Sequence, residues 1–186
     1  MPFPAKTTPD AILEAALQML TENGLEGLSL RNLATRLQIK APSLYRHFAD
    51  RSALEAALAA HGSEQLRLRL EEIHESKPEV AARIAATRYL EFAVQNPALY
   101  NLMTFGYGSQ LQYGSSGQPK ALWNAFLKLM SGVTEREDDT AATVSLWAFL
   151  HGYASLQRSG AFGESGPQGA FEVGLDALLT GLKARR

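Results

Sequence analysis

SLRNLATRLQIKAPSLYRHF, residues 29–48, holds two short helical patterns separated by three residues. Leu30, Leu33, Ala34 and Leu37 fall at i, i+3, i+4 and i+7, one apolar face of a helix. Ser29, just ahead of them, is suited to cap the free N–H groups of the first turn. Gln38-Ile39-Lys40 interrupts the pattern, and Ile39 is placed to plug the corner. Pro42 fits the first turn of the next helix, where its missing N–H does no harm. Leu44 and Phe48, four apart, point inward, which leaves Lys40, Ala41, Pro42, Ser43, Tyr45, Arg46 and His47 facing outward. Two short helices joined this way expose the second to a groove about 12 Å wide. The outward set offers cations and hydroxyls for phosphates, and a small apolar surface for a thymine methyl. Residue types alone equally allow an ordinary helical hairpin with a solvated polar helix.

Working outward, apolar residues recur at three and four rather than alternating, so the chain reads as all-α with about nine helices. A helix over 9–22 precedes the segment, with Ile12, Leu13, Ala16, Leu17 and Leu20 as its buried stripe and Asn23-Gly24 as its stop. A long helix over 51–75 follows, carrying Leu54, Leu58, Leu66, Leu70 and Ile73. Ser76-Lys77-Pro78 marks a domain boundary. Further helices are expected over 78–95, 97–105, 118–133, 137–159 and 167–184, packed as an antiparallel bundle. The Gly-, Ser- and Tyr-rich stretch 106–118 reads as a loop. The organisation is thus a three-helix domain over 1–50, a connecting helix over 51–76 and a larger domain over 77–186.

The chain of 186 residues is 46% hydrophobic and 20% charged, an ordinary globular mixture, and it contains no cysteine. Disulfides and thiolate metal sites are therefore excluded, which fits a reducing cytoplasm. Its start, MPFPAKTTPDAIL, lacks a signal-peptide pattern. The uncharged run from Thr140 to Gln157 is broken by polar residues and reads as a buried helix rather than a membrane span. Net charge is −1, yet five basic residues between Arg31 and Arg51 face the single acid Asp50. That local +4 on a remainder of −5 is the pattern of a localised nucleic-acid site. Histidines at 47, 61, 74 and 151 have no metal-ligand spacing. Neither a Gly-x-Ser-x-Gly elbow nor a phosphate-binding Gly-Lys-Ser/Thr occurs. No catalytic residue, metal or cofactor is expected. A small helical enzyme and a protein-interaction adaptor remain the competing classes.

The stretch from Ile12 to Leu58 resembles the DNA-binding domain of the tetracycline-repressor (TetR) family. The resemblance rests on Asn23-Gly24, Gly27-Leu28-Ser29-Leu30-Arg31, Leu33-Ala34 and, above all, Leu44-Tyr45-Arg46-His47-Phe48. It implies that Tyr45, His47 and Arg51 hold the DNA backbone. Ala41, Pro42, Ser43 and Arg46 would lie nearest the bases, with Ser29 and Arg31 reaching the groove edge. Family members usually have glycine where this chain has Gln38, so a left-handed turn there would be strained. Trp147-Ala148-Phe149-Leu150-His151-Gly152 is similar to the Trp…His-Gly signature of one C-terminal subfamily.

A single reading helix contacts too few bases to select a site, so twofold pairs spaced about 34–36 Å are expected. Phe171, Leu175, Leu178 and Leu182 recur at 4, 3 and 4 and form a candidate dimer seam. Gly174 and Gly181 would allow close approach, and the apolar helix around 144–156 would complete a four-helix interface. Both stripes could instead pack inside one chain. Phe92, Tyr100, Met103, Trp123, Phe126, Trp147 and His151 are candidate lining of an inducer pocket, because the family encloses a small ligand in this half. Aromatic residues at helical spacing are also the ordinary content of a core. The implied partners are a double-stranded DNA operator, a second copy of the chain and an unknown small-molecule inducer, with no membrane.

Overall fold

The computed structural model describes residues 8–105, 118–163 and 166–185; of the expected loop over 106–118, residues 106–117 lie outside them and Gln118 begins a helix. Among the described residues it contains nine helices and no strand: α1 Pro9–Gly27, α2 Leu30–Leu37, α3 Ala41–Tyr45, α4 Arg51–Glu71, α5 Pro78–Gln95, α6 Pro97–Phe105, α7 Gln118–Thr134, α8 Thr140–Arg158 and α9 Ala170–Lys183. None of these helices is long and apolar enough to cross a membrane.

Two compact units emerge, Met1–Ser63 with Asn96–Gln118 and Glu64–Gln95 with Pro119–Arg186. Contacts divide the chain inside α4, and Ser76-Lys77-Pro78 lies at the break before α5.

In the first unit α1 packs on α2 and α6, and α2 on α3. Thr8 caps α1 by accepting the Ala11 N–H at 3.2 Å. The buried face of α1 is Ile12, Ala15, Ala16, Met19 and Leu20, while Leu13 and Leu17 are only half-buried. The apolar stripe is broad, and the pattern alone set its centre slightly off. Gly24 breaks the helix as expected, at φ 65° and ψ −171°, and a further turn carries the chain to Gly27. α4 ends at Glu71, short of the expected 75. Gly62 lets α6 close onto α4, because a Cβ there would stand 2.5 Å from Met103 Sδ and 3.0 Å from Leu99 Cγ.

In the second unit α8 packs on α5 and α9. Its core includes Ala82, Ala85, Ala86, Tyr89, Phe92, Phe126, Met130, Leu146 and Leu150. Asp139 caps α8 by accepting the Ala142 N–H at 2.9 Å. That backbone bond is the main cause holding the Asp139 carboxyl below its ordinary range, helped by Thr134 and nearby arginines against the opposing effect of burial. Lys183 pairs with Glu79 and Arg83 with Asp176, tying α9 to α5.

Candidate nucleic-acid interface

α2 begins where the sequence places it. Ser29 is extended (φ −148°, ψ 150°) and its Oγ accepts the Asn32 N–H at 3.1 Å. Asn32 in turn donates from Nδ2 to the Gly27 carbonyl at 3.1 Å, securing α2 to the end of α1. Leu30, Leu33 and Ala34 are buried, and Leu37 is half-buried. The turn is left-handed at Gln38 (φ 55°, ψ 43°), the conformation for which the resemblance implies glycine. Its N–H still bonds back to Thr35 at 3.1 Å, and Ile39 donates to Ala34 at 3.0 Å.

α3 is shorter than its pattern, running only from Ala41 to Tyr45 with Pro42 in its first turn. A closing turn follows, in which the N–H groups of His47 and Phe48 both reach the Leu44 carbonyl, at 2.8 and 2.9 Å. Leu44 is fully buried and anchors the helix, whereas Phe48 is half-buried and contributes less than expected. Tyr45 is 55% exposed. Lys40, Pro42, Arg46 and His47 are exposed beside it, Ala41 and Ser43 are half-exposed, and Arg31 is exposed on α2. α3 and the residues flanking it thus present an aromatic hydroxyl, an imidazole and two cations to solvent.

The positive segment is less uniform than its sequence. Arg36 donates to both Glu22 carboxylate oxygens, at 2.6 and 2.8 Å, and to Gln18 Oε1 at 3.2 Å. That hydrogen-bonded pair lowers the Glu22 carboxyl and raises the Arg36 guanidinium from their ordinary pKa values. Arg36 therefore braces α2 against α1. Arg51 is engaged as well: its Nε donates to Glu55 Oε1 at 2.6 Å and its Nη2 to the Leu25 carbonyl at 2.8 Å. Glu55 is buried (4% exposed) and was not singled out from the sequence, although an Arg at i and a Glu at i+4 was a visible signal.

The candidate pocket residues are drawn from both units. Tyr100 and Met103 belong to the first unit, and Phe92, Trp123, Phe126, Trp147 and His151 to the second. Phe92, Tyr100, Met103 and Phe126 are buried, as ordinary core residues are. Arg69 lies over the Phe92 ring at 5.4 Å, and Tyr89 meets Phe126 edge-on at 6.1 Å. Trp123, Trp147 and His151 are half-buried, with His151 stacked on Trp147 at 5.6 Å. Burial, then the positive charge of Arg158, lowers the His151 pKa.

Much of the candidate seam on α9 packs against its own chain. Phe171, Leu175 and Leu182 are buried within the chain, joined by Leu179, and Leu178 is the half-exposed one. Phe171 stacks on Phe149 at 5.7 Å, and Gly174 accommodates that same Phe149, whose ring carbons would lie 2.8 and 2.9 Å from an added Cβ. Among the described residues, a Cβ at Gly152 or Gly181 would meet nothing within 4 Å, so neither serves a close crossing there.

This is a helical protein built around an exposed helix-turn-helix. Residues 12–58 match the family model of the bacterial regulatory proteins, tetR family, and residues 82–178 that of the tetracyclin repressor-like C-terminal domain. The chain belongs to the TetR family of transcriptional regulators. It is 28% identical over 156 residues to the uncharacterized HTH-type transcriptional regulator YobS of Bacillus subtilis, covering 83% of this chain and 81% of that one. Identity is also 28% over 212 aligned positions to the class A tetracycline repressor protein from transposon 1721 of Escherichia coli, covering 97% and 93%. A solved Rhodococcus sp. RHA1 protein of unknown function superposes with a TM-score of 0.76 at 26% identity, covering 92% and 93%.

Proposed function

We propose that the chain is a ligand-responsive repressor that binds a palindromic operator as a homodimer in the bacterial cytoplasm. The exposed α3, pinned by buried Leu44 with Tyr45, Arg46 and His47 outward, carries this reading. Tyr45, His47 and Lys40 hold phosphates, Ala41, Pro42, Ser43 and Arg46 face the bases, and Ser29 and Arg31 reach the groove edge. Arg51, held by Glu55 and the Leu25 carbonyl, joins them at the backbone.

Functionally, residues 1–50 bind DNA, 51–76 connect, and 77–186 bind ligand and dimerise. The dimer face is the small-residue side of α8 (Ala141, Ser145, Ala148, Gly152) with Leu156 beside it, together with Val173, Leu178 and Gly181 of α9. Val173 is 71% and Leu156 49% exposed, which supports burial against a second copy.

A small molecule enclosed near Trp123, Trp147 and His151 acts through its difference in affinity for DNA-competent and incompetent states. Coupling of about 1–3 kcal/mol changes operator affinity roughly 5–150-fold. The relative named as a tetracycline repressor supports a small-molecule response in kind, without fixing the compound.

Selecting bound duplexes from a random pool tests the reading: a palindrome with half-sites one turn apart is expected, with retention that falls steeply in salt. A chain that retains no DNA returns the field to a helical enzyme or an adaptor.

A further inference from the structure

We propose that Glu55 is a positioning residue for DNA binding, which together with the Leu25 carbonyl grips one edge of the Arg51 guanidinium and presents the other edge to a phosphate. The inference rests on the DNA-binding reading of α2 and α3.

Glu55 is a carboxylate at 4% exposure, one turn inside α4. Among the described residues its ion-pair partner is Arg51, at 2.6 Å. A buried carboxylate is strongly disfavoured without a partner, so this pair is held rather than transient. Arg51 carries five N–H donors in a rigid plane. Its Nε–H goes to Glu55 and one Nη2–H to Leu25, which lie along the same edge of that plane. What remains is the terminal fork of Nη1 and Nη2, the geometry that pairs bidentately with phosphate. The side chain as a whole is 47% exposed.

Leu25 makes the second grip specific. It lies in the turn after Gly24, and its carbonyl also accepts the Leu28 N–H at 3.2 Å. Leu28 leads directly into the Ser29 cap of α2. The Arg51 fork is thereby fixed relative to the element that carries the DNA face, and a fixed side chain loses little freedom when it captures phosphate.

The test is DNA affinity against salt for the full chain, on a duplex selected from the random pool, at a temperature where every variant is folded by circular dichroism. Arg51→Gln is expected to make the slope of log K against log salt less steep by about 0.9 per protomer, one phosphate contact. Glu55→Gln is expected to leave the slope unchanged and weaken binding roughly tenfold, and this effect should vanish in the Arg51→Gln background. If Glu55→Gln fails to fold, Glu55→Asp, which keeps the charge but withdraws it by one methylene, should weaken binding in the same way.

A Glu55→Gln variant that binds more tightly makes Glu55 a competitor of phosphate and overturns the proposal. So does an equal loss in the Arg51→Gln background, or an Arg51→Gln slope that does not change. Wild-type protein without salt-dependent retention overturns the DNA-binding reading itself.

Discussion

Gln38 sits at φ 55° and ψ 43° in the turn between α2 and α3. That conformation costs a non-glycine residue about 1–2 kcal/mol. Glycine's greater freedom in the unfolded chain takes back about 0.4–1 kcal/mol of the relief. Gln38→Gly should therefore stabilise the protein by about 0.5–1 kcal/mol in a urea titration, and an unchanged midpoint would mean the Gln38 side chain compensates for its backbone. His151 gives a pH prediction. Burial first, and the charge of Arg158 second, lower its pKa below the ordinary 6.5. The unfolded chain then binds a proton more readily than the folded one, so stability falls as pH drops from about 6.5 towards the lowered value. The Glu22, Glu79 and Asp139 carboxyls are held below their ordinary values, so their contribution is present above the carboxylate range and is lost only at lower pH. Thermal midpoints of His151→Gln should lack the first decline and keep the second; parallel curves for variant and wild type would exclude the assignment. At this scale the sequence revealed Ser29 as a cap and Tyr45 as an exposed ring, because both follow from neighbours within one turn. It did not reveal the partner of Arg36 or the second acceptor of Arg51, since Glu22 is 14 residues away and the Leu25 carbonyl 26.

Between elements, α9 shows how spacing misleads. Leu178 and Leu179 are adjacent and both apolar, so 171-175-178-182 and 171-175-179-182 are equally good helical stripes. The structure buries the second, with Leu179 at 2% exposure, because α9 turns Phe171 towards Phe149 on α8. Gly174 is the glycine that this packing requires. Its missing side chain is replaced by the Phe149 ring, which is itself hemmed in by Phe171 at 5.7 Å and Tyr153 at 6.3 Å. A rigid ring with aromatic neighbours cannot swing aside as the Met103 chain near Gly62 can. Gly174→Ala should accordingly cost about 1–3 kcal/mol by overpacking, and Phe149→Leu in that background should restore part of the loss in chemical denaturation. An alanine tolerated at 174 without loss would mean that α9 shifts freely over α8. Helix existence was legible throughout the chain because the apolar periodicity is long. The short α3 was overextended, because its last turn is held by backbone bonds to Leu44 rather than by a further apolar residue.

For the molecule as a whole, assembly is what one chain's periodicity cannot display, since an outward face of small residues reads as surface. On α8, Ala141, Ala148 and Gly152 are exposed with Ser145 half-exposed between them, and α9 adds exposed Val173 and Gly181. Close helix approach needs such small residues, and a charge buried there without a partner is heavily disfavoured. Ala148→Glu places a carboxylate on that face while touching none of the core positions of α8, so helicity and thermal unfolding of the chain at low concentration should persist. Light scattering should report a monomer. DNA binding supplies the second readout. On the proposed roles, Lys40 and the Arg51 fork are the cations at phosphates, about two per protomer, so a dimer neutralises about four and its salt slope should be about −3.6, while a monomer should give about half of that. Loss of the second half-site should also weaken operator binding by several hundredfold, while retention on unselected DNA falls much less. A variant that remains dimeric with the full slope would move the interface off this face. A wild-type protein that is monomeric and already shows the halved slope would remove twofold reading altogether.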